Sequence, residues 1–167
     1  AQKAVPAERM NEVLVLVIMN SDKYAGTCYM YYPTSGDYGN GASIAYIPTG
    51  ADEKAFEEVL HHEAGGHGFA KLADEYGYEE MHGIPDYVRS GYENEEQYGW
   101  WRNVDFTNDP KLVKWNMFLS DERYADEGLG VFEGGLTYWT GVYRPSENSI
   151  MRYNTGGFNA PSREAIY

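Results

Sequence analysis

The sequence is poor in cysteine, in positive charge and in long apolar runs, and each shortage excludes a class of structure or function. Cys28 is the single cysteine, so an intrachain disulfide and a four-cysteine zinc site are excluded. Lys and Arg total 13 against 26 Asp and Glu, and the net charge of −13 argues against nucleic acid and anionic lipid as partners. The longest apolar run, Val13 to Met19, is too short to span a bilayer.

The remaining composition is that of a globular domain. The chain has 167 residues, of which 43% are apolar, so a sizeable core can form without support from disulfides. No internal repeat, low-complexity tract or linker interrupts it. We therefore expect a single domain over residues 1–167.

The first half of the chain contains clear strand and helix signals. The aliphatic run Glu12 to Met19 predicts a strand buried on both faces, and Thr27 to Tyr32 predicts a second strand. Ser43 to Ile47 alternates and stops at Pro48, which is typical of an edge strand. Asp52 is then the expected N-cap of a helix.

The second half is less regular. The segment from Tyr76 to Trp101 shows no clear period, and Gly128 to Gly141 is interrupted by glycines, so both are expected to be irregular. Helices are expected over Pro110 to Ser120 and Ala160 to Tyr167.

Three of the four histidines lie within the seven residues His61-His62-Glu63-Ala64-Gly65-Gly66-His67. Zinc peptidases usually carry H-E-x-x-H, in which two histidines share a helix face and Glu is the general base. Here the spacing is i, i+5, and a regular α-helix would point His62 and His67 about 140° apart. A π-bulge absorbs one extra residue, and glycine tolerates the required backbone. The spacing therefore predicts a wide turn around Ala64 to Gly66 that returns both rings to one face.

A third zinc ligand is expected soon after this helix, because catalytic zinc takes three protein ligands. Leu72-Ala73-Asp74-Glu75-Tyr76 offers two carboxylates, Asp74 and Glu75. Ligand chemistry does not choose between them, and a solvated acidic loop is the alternative interpretation.

The later segment Ser149-Ile150-Met151-Arg152-Tyr153 is similar to the Met-turn of the metzincin metallopeptidases, a tight turn whose Met lies beneath the zinc. It follows the helix motif by tens of residues, as in that clan. Core packing is the alternative role for Met151 and Tyr153. Arg144 is expected to brace the turn, with a substrate carboxylate as its alternative partner.

Together, HHEAGGHGFAKLADEY and the segment ending in NSIMRYN resemble the IgA-peptidase-like family of secreted bacterial zinc peptidases. Phe69, Leu72 and Ala73 to Tyr76 match the residues that commonly follow the helix motif in that family. The resemblance covers most of the chain, from Asp22 onward. The extra residue at Gly65-Gly66 departs from the common motif.

The resemblance implies a metzincin-like α+β fold, with a mixed twisted sheet, an edge strand over the cleft and an active-site helix. Ser43 to Ile47 would be that edge strand, and an exposed edge can bind an extended peptide as a further strand. A metzincin domain normally has more strands before its active-site helix. We therefore expect that an N-terminal part of the domain is missing, and that this segment or domain of the same protein is a partner.

The resemblance also implies a zinc-dependent endopeptidase that hydrolyses protein or peptide substrates with metal-activated water. The implied Zn²⁺ ligands are His62, His67 and Asp74. Glu63 is the implied general base, and Tyr153 is a candidate to stabilise the oxyanion. The implied location is secreted, periplasmic or on the bacterial cell surface.

Two other functions fit the composition. One is a catalytically degenerate domain that retains the fold and holds metal only structurally or not at all. The other is a carbohydrate- or protein-binding module, whose stacking surface would come from the aromatic residues that make up 16% of the chain.

Overall fold

The computed structural model describes residues 4–34 and 39–167. The chain divides into two compact units, Ala1–Lys71 and Leu72–Tyr167. Each unit contains a three-stranded sheet together with helices, so the predicted mixture of α and β structure is confirmed. The single catalytic domain over residues 1–167 stays a prediction.

The first unit places three strands before the motif helix. Its elements are a 3₁₀-helix Ala7–Glu12, β1 Leu14–Met19, β2 Thr27–Met30, β3 Ser43–Pro48, α1 Glu53–Leu60 and a π-helix His61–Phe69. The strand order is β1-β3-β2, with β3 parallel to β1 and antiparallel to β2. The predicted N-cap is confirmed, because the Asp52 carboxylate accepts a hydrogen bond from the Ala55 N–H at 2.8 Å.

The prediction that Ser43 to Ile47 forms an edge strand is wrong. β3 pairs on both sides, with β1 along its whole length and with β2 from Ser43 to Tyr46. Its alternation separates two faces of a central strand: Ala45 and Ile47 are fully buried in a core with Val59 of α1. Pro48 interrupts no pairing inside the strand because it is the last residue.

The first strand also differs from its prediction. β1 pairs with β3 alone, and Leu16 and Ile18 are 47% and 50% exposed, so the strand is not buried on both faces. An apolar run does not by itself distinguish a doubly buried strand from an apolar edge strand. Over the described ranges, β1 and β2 are the two open edges of this sheet.

The second unit is built around a sheet of order β4-β6-β5, in which β6 runs parallel to β4 and antiparallel to β5. Its strands are β4 Gly77–Gly83, β5 Phe132–Gly135 and β6 Thr137–Arg144. Its helices are α2 Asp86–Glu95, a 3₁₀-helix Glu96–Tyr98, α3 Asn116–Leu119, a 3₁₀-helix Glu122–Glu127, α4 Ile150–Tyr153 and α5 Ala160–Ile166.

Several expectations for this half are therefore wrong. The segment Tyr76 to Trp101 contains β4 and α2, and Gly128 to Gly141 contains β5 and the first part of β6. Of the helix expected over Pro110 to Ser120, only the short α3 forms. The C-terminal helix is confirmed as α5. Within the ranges described, no helix is both long and apolar enough to cross a membrane.

Candidate metal centre

The motif helix widens where the i, i+5 spacing predicts it. A π-helix spans His61–Phe69, and the Ala70 N–H donates to the carbonyl of Gly65, five residues earlier, at 3.1 Å. The Nε2 atoms of His62 and His67 are 3.1 Å apart. The wide turn is thus confirmed, and it places both rings on the same side of the helix.

Glu63 is buried and lies in sequence between His62 and His67. Its side chain lies against Gly26, the residue before β2. Its exposed fraction is 8%. A Cβ on Gly26 would lie 2.5 Å from Glu63 Cγ and 2.7 Å from Glu63 Oε1. The backbone that leads into β2 therefore lies against the Glu63 side chain, and a larger residue at position 26 would require that side chain to shift.

Cys28 interacts electrostatically with this carboxylate and with Lys71. Burial, followed by the negative charge of Glu63, raises the pKa of the Cys28 thiol to about 12. Burial lowers the pKa of Lys71 to about 8. The Lys71 ammonium donates to the Ser43 hydroxyl and, at 2.8 Å, to the carbonyl of Gly68 near the end of the π-helix. Lys71 thus joins the motif helix to β3.

Asp74 follows His67 by seven residues and completes a group with metal-binding chemistry. One ligand atom from each of His62, His67 and Asp74 lies within 4.8 Å of the other two. Two imidazoles and a carboxylate are a donor set that catalytic zinc uses, so these residues fit the metal. Burial raises the pKa of the Tyr76 phenol, and the negative charge of Asp74 is the next largest cause of the same shift.

Glu75, the other carboxylate of the segment, is engaged elsewhere. It is fully buried, and its Oε2 accepts from the Ser149 hydroxyl at 2.6 Å. Its Oε1 accepts from Asn103 Nδ2 at 2.9 Å, and Asn159 Nδ2 donates to both oxygens at 3.0 and 3.1 Å. Burial raises the pKa of Glu75, while these three donors lower it.

We expect Glu75→Gln to destabilise the metal-free protein more at pH 4 than at pH 7. Because burial raises the pKa of Glu75 in the folded state, the free energy of unfolding falls as the pH rises above the unfolded value of about 4.3. The free energy of unfolding of the Gln variant does not fall with pH in this way, because Gln does not ionise. The variant instead places a side-chain N–H₂ group against the amide donors of Asn103 and Asn159, at a cost of about 1–3 kcal/mol. Urea unfolding of both proteins with chelator present measures the difference. A cost that grows with pH would contradict this expectation.

The predicted Met-turn segment forms α4. Met151 is fully buried, and its carbonyl accepts from the Glu75 N–H at 2.9 Å. Tyr153 is 55% exposed, and the Arg152 guanidinium lies 4.5 Å from the centre of its ring. The roles of Met151 beneath a metal and of Tyr153 at an oxyanion stay predictions.

Arg144 has a structural role, although none of the hydrogen bonds described for its side chain joins it to the Met-turn segment itself. Its guanidinium donates to the carbonyls of Glu133, Gly134 and Ser146. Burial lowers its pKa below the ordinary value. The Arg144 guanidinium thus donates its hydrogen bonds to backbone carbonyls of the second unit.

Sequence analysis missed two buried side chains that hold the motif segments, Lys71 and Asn103. Lys71 has a φ of 55°, unusual for a residue with a side chain, and its 1% exposure is exceptional for lysine. Lys71 lies within the motif segment HHEAGGHGFAKLADEY but is not one of the residues that carry the resemblance, and Asn103 lies outside that segment. The role of each depends on contacts that the local sequence does not reveal.

Comparison with known proteins identifies the family of this chain. The profile of the family described as IgA Peptidase M64 matches residues 4–125, which is more than half of the chain. A search among curated proteins gives no significant match. The match spans the π-helix and the segment that carries Asp74. The chain belongs to the IgA peptidase M64 family.

Proposed function

We propose that the protein is a zinc-dependent endopeptidase whose zinc ligands are His62, His67 and Asp74. The observation that carries the proposal is the group of these three side chains, with ligand atoms within 4.8 Å of one another. It has the three protein ligands that a catalytic zinc site takes. Membership of a peptidase family supports the same reaction.

Asp74 is the better third ligand of the two adjacent carboxylates. Both oxygens of Glu75 accept hydrogen bonds from buried side chains, and metal binding would have to break several of them. Breaking such bonds leaves buried donors unsatisfied, at about 1–3 kcal/mol each. Asp74 is half-buried and belongs to the metal-binding group.

Glu63 is the proposed general base. When bound, zinc supplies the Lewis acidity that polarises a peptide carbonyl and activates water near neutral pH. The Glu63 carboxylate takes a proton from the attacking water and returns it to the leaving amine. Glu63 directly follows His62 on the same π-helix. It therefore lies beside a proposed zinc ligand but is not itself a ligand. The Tyr153 hydroxyl is the proposed donor to the oxyanion.

The strand that receives substrate is proposed to be β2 rather than β3. An extended peptide adds to a sheet through an unpaired edge, and β3 has none over its paired residues. β2 is an open edge among the described strands, and Gly26, immediately before it, touches the Glu63 side chain. A peptide paired with β2 would therefore run beside the general base.

Gly26→Ala is expected to lower peptide hydrolysis by up to about 100-fold while zinc binding stays at the parent level. The added Cβ would lie 2.5 Å from Glu63 Cγ and 2.7 Å from both Glu63 Oε1 and Val59 Cγ1, so the Glu63 side chain would have to shift. Hydrolysis of a fluorogenic peptide and metal analysis measure the two quantities. Gly91→Ala is the matched control, because a Cβ there meets nothing within 4 Å. Parent-like hydrolysis by Gly26→Ala would contradict the contact.

Casein hydrolysis by the purified protein tests the proposed function. We expect hydrolysis that stops on treatment with a chelator and returns when zinc is added. A protein that binds zinc stoichiometrically but never cleaves casein or peptide would be the degenerate domain. A protein with neither zinc nor hydrolysis would support a binding module. Secretion and partnership with an N-terminal segment stay predictions of the family resemblance.

A further inference from the structure

The backbone before Asp74 is held by one buried side chain. Asn103 is fully buried, and its Oδ1 accepts from the Ala73 N–H at 2.8 Å. Its Nδ2 donates to the Ala73 carbonyl at 2.9 Å. Both polar backbone groups of the residue preceding Asp74 are therefore fixed by the same amide.

The backbone at and after Asp74 is held as well. The Asp74 carbonyl accepts from the Leu136 N–H at 2.8 Å, and the Glu75 N–H donates to the Met151 carbonyl at 2.9 Å. Asn103 Nδ2 also donates to Glu75 Oε1 at 2.9 Å. Among the hydrogen bonds described for this segment, Asn103 is thus the one side chain that bonds to both Ala73 and Glu75, the residues on either side of Asp74.

Asn103 is itself held on both sides. Trp101 has a left-handed backbone with a φ of 62°, and its carbonyl accepts from Lys114 Nζ at 3.1 Å. Asp105 pairs with Tyr143 of β6 through two backbone hydrogen bonds of 2.8 and 3.0 Å. The amide therefore sits on a backbone fixed to the sheet of the second unit, and can act as a rigid support.

We propose that Asn103 is a positioning residue, which holds the backbone of Asp74 in the conformation that binds zinc. The proposal rests on the proposed function, because it takes Asp74 as a ligand. A ligand on an already ordered segment loses less conformational freedom when the metal binds, so affinity rises. Residues that support metal ligands typically change affinity by about 10- to 100-fold when they are removed.

Zinc affinity of the full chain, measured by competition with a chelating dye, tests this role. We expect Asn103→Ala to raise the zinc Kd by about 10- to 100-fold. Asn159→Ala is the matched control, because Asn159 is a buried amide that donates to Glu75 and Ser146 rather than to Ala73. Its zinc Kd should stay within a few-fold of the parent value. Asn103→Ser is measured alongside, so that the comparison survives if Asn103→Ala does not fold.

The visible spectrum of the cobalt(II)-loaded protein separates positioning from stability. We expect the bands to change in the Asn103 variants and to match the parent in Asn159→Ala. Equal loss of affinity in the Asn103 and Asn159 variants, or no loss in the Asn103 variants, would overturn the positioning role. If the parent binds no zinc, or if Asp74→Ala binds it as well as the parent, the proposed ligand set fails instead.

Discussion

Replacing Glu63 by Gln is expected to lower peptide hydrolysis by about 10²- to 10⁴-fold, the usual cost of losing a general base. Gln keeps the size of the side chain but cannot accept the proton of the attacking water. The residue is buried, and it lies against Gly26, which immediately precedes the proposed substrate strand β2. Zinc content should match the parent, because His62, His67 and Asp74 are unchanged. Steady-state hydrolysis and metal analysis on the same preparation measure both.

Glu57→Gln is the matched control for this substitution. Glu57 is exposed on α1, less than two turns before Glu63, so the change removes the same charge from the same continuous helix. We expect its hydrolysis to stay within a few-fold of the parent. Two results would contradict the role of Glu63: activity that survives in Glu63→Gln, or zinc that is lost together with activity. The second result would make Glu63 a ligand.

His62→Ala and His67→Ala are each expected to abolish stoichiometric zinc binding and, with it, hydrolysis. Each substitution removes one of the three proposed protein ligands. The loss in affinity should therefore exceed the roughly 10- to 100-fold cost of losing a residue that supports a ligand. Metal analysis after dialysis against a weak chelator measures the loss.

His61→Ala is the control for the two histidine variants. His61 lies on the same π-helix but is exposed, and it is outside the metal-binding group. We expect it to retain zinc and activity. Retained stoichiometric zinc in both His62→Ala and His67→Ala would exclude the proposed centre, whatever the control shows.

The features that the sequence predicts correctly are those set by neighbouring residues. The Asp52 cap depends on an N–H three residues away, and the wide turn depends on the five-residue spacing from His62 to His67. The C-terminal helix begins at Ala160 under an Asn159 cap of the same local kind. Each requires only contacts within a turn or two of helix.

Strand order could not be predicted, because it depends on distant pairing. β3 has the alternation of a half-exposed strand, yet β1 and β2 cover its two edges. In the second unit, Gly77 lies in the segment expected to be irregular, yet it is the first residue of β4. A Cβ there would lie 2.3 Å from the Tyr138 carbonyl oxygen on β6. A glycine in a strand can mark such a close backbone approach.

The choice between the two carboxylates also lies outside local sequence. Asp74 and Glu75 are adjacent and chemically equivalent as ligands. They differ because Ser149 and Asn159, 74 and 84 residues further along the chain, donate to Glu75. Family resemblance favoured Asp74, and this buried network gives a physical reason for the same choice.

Anomalous diffraction from crystals of the zinc-loaded protein, recorded at the zinc absorption edge, tests the ligand set most directly. We expect one strong peak about 2.0–2.2 Å from a ring nitrogen of His62, a ring nitrogen of His67 and a carboxylate oxygen of Asp74. Glu63 and Glu75 should lie outside bonding distance. A peak bonded to either of those two carboxylates, or no peak near the two histidines, would contradict the account.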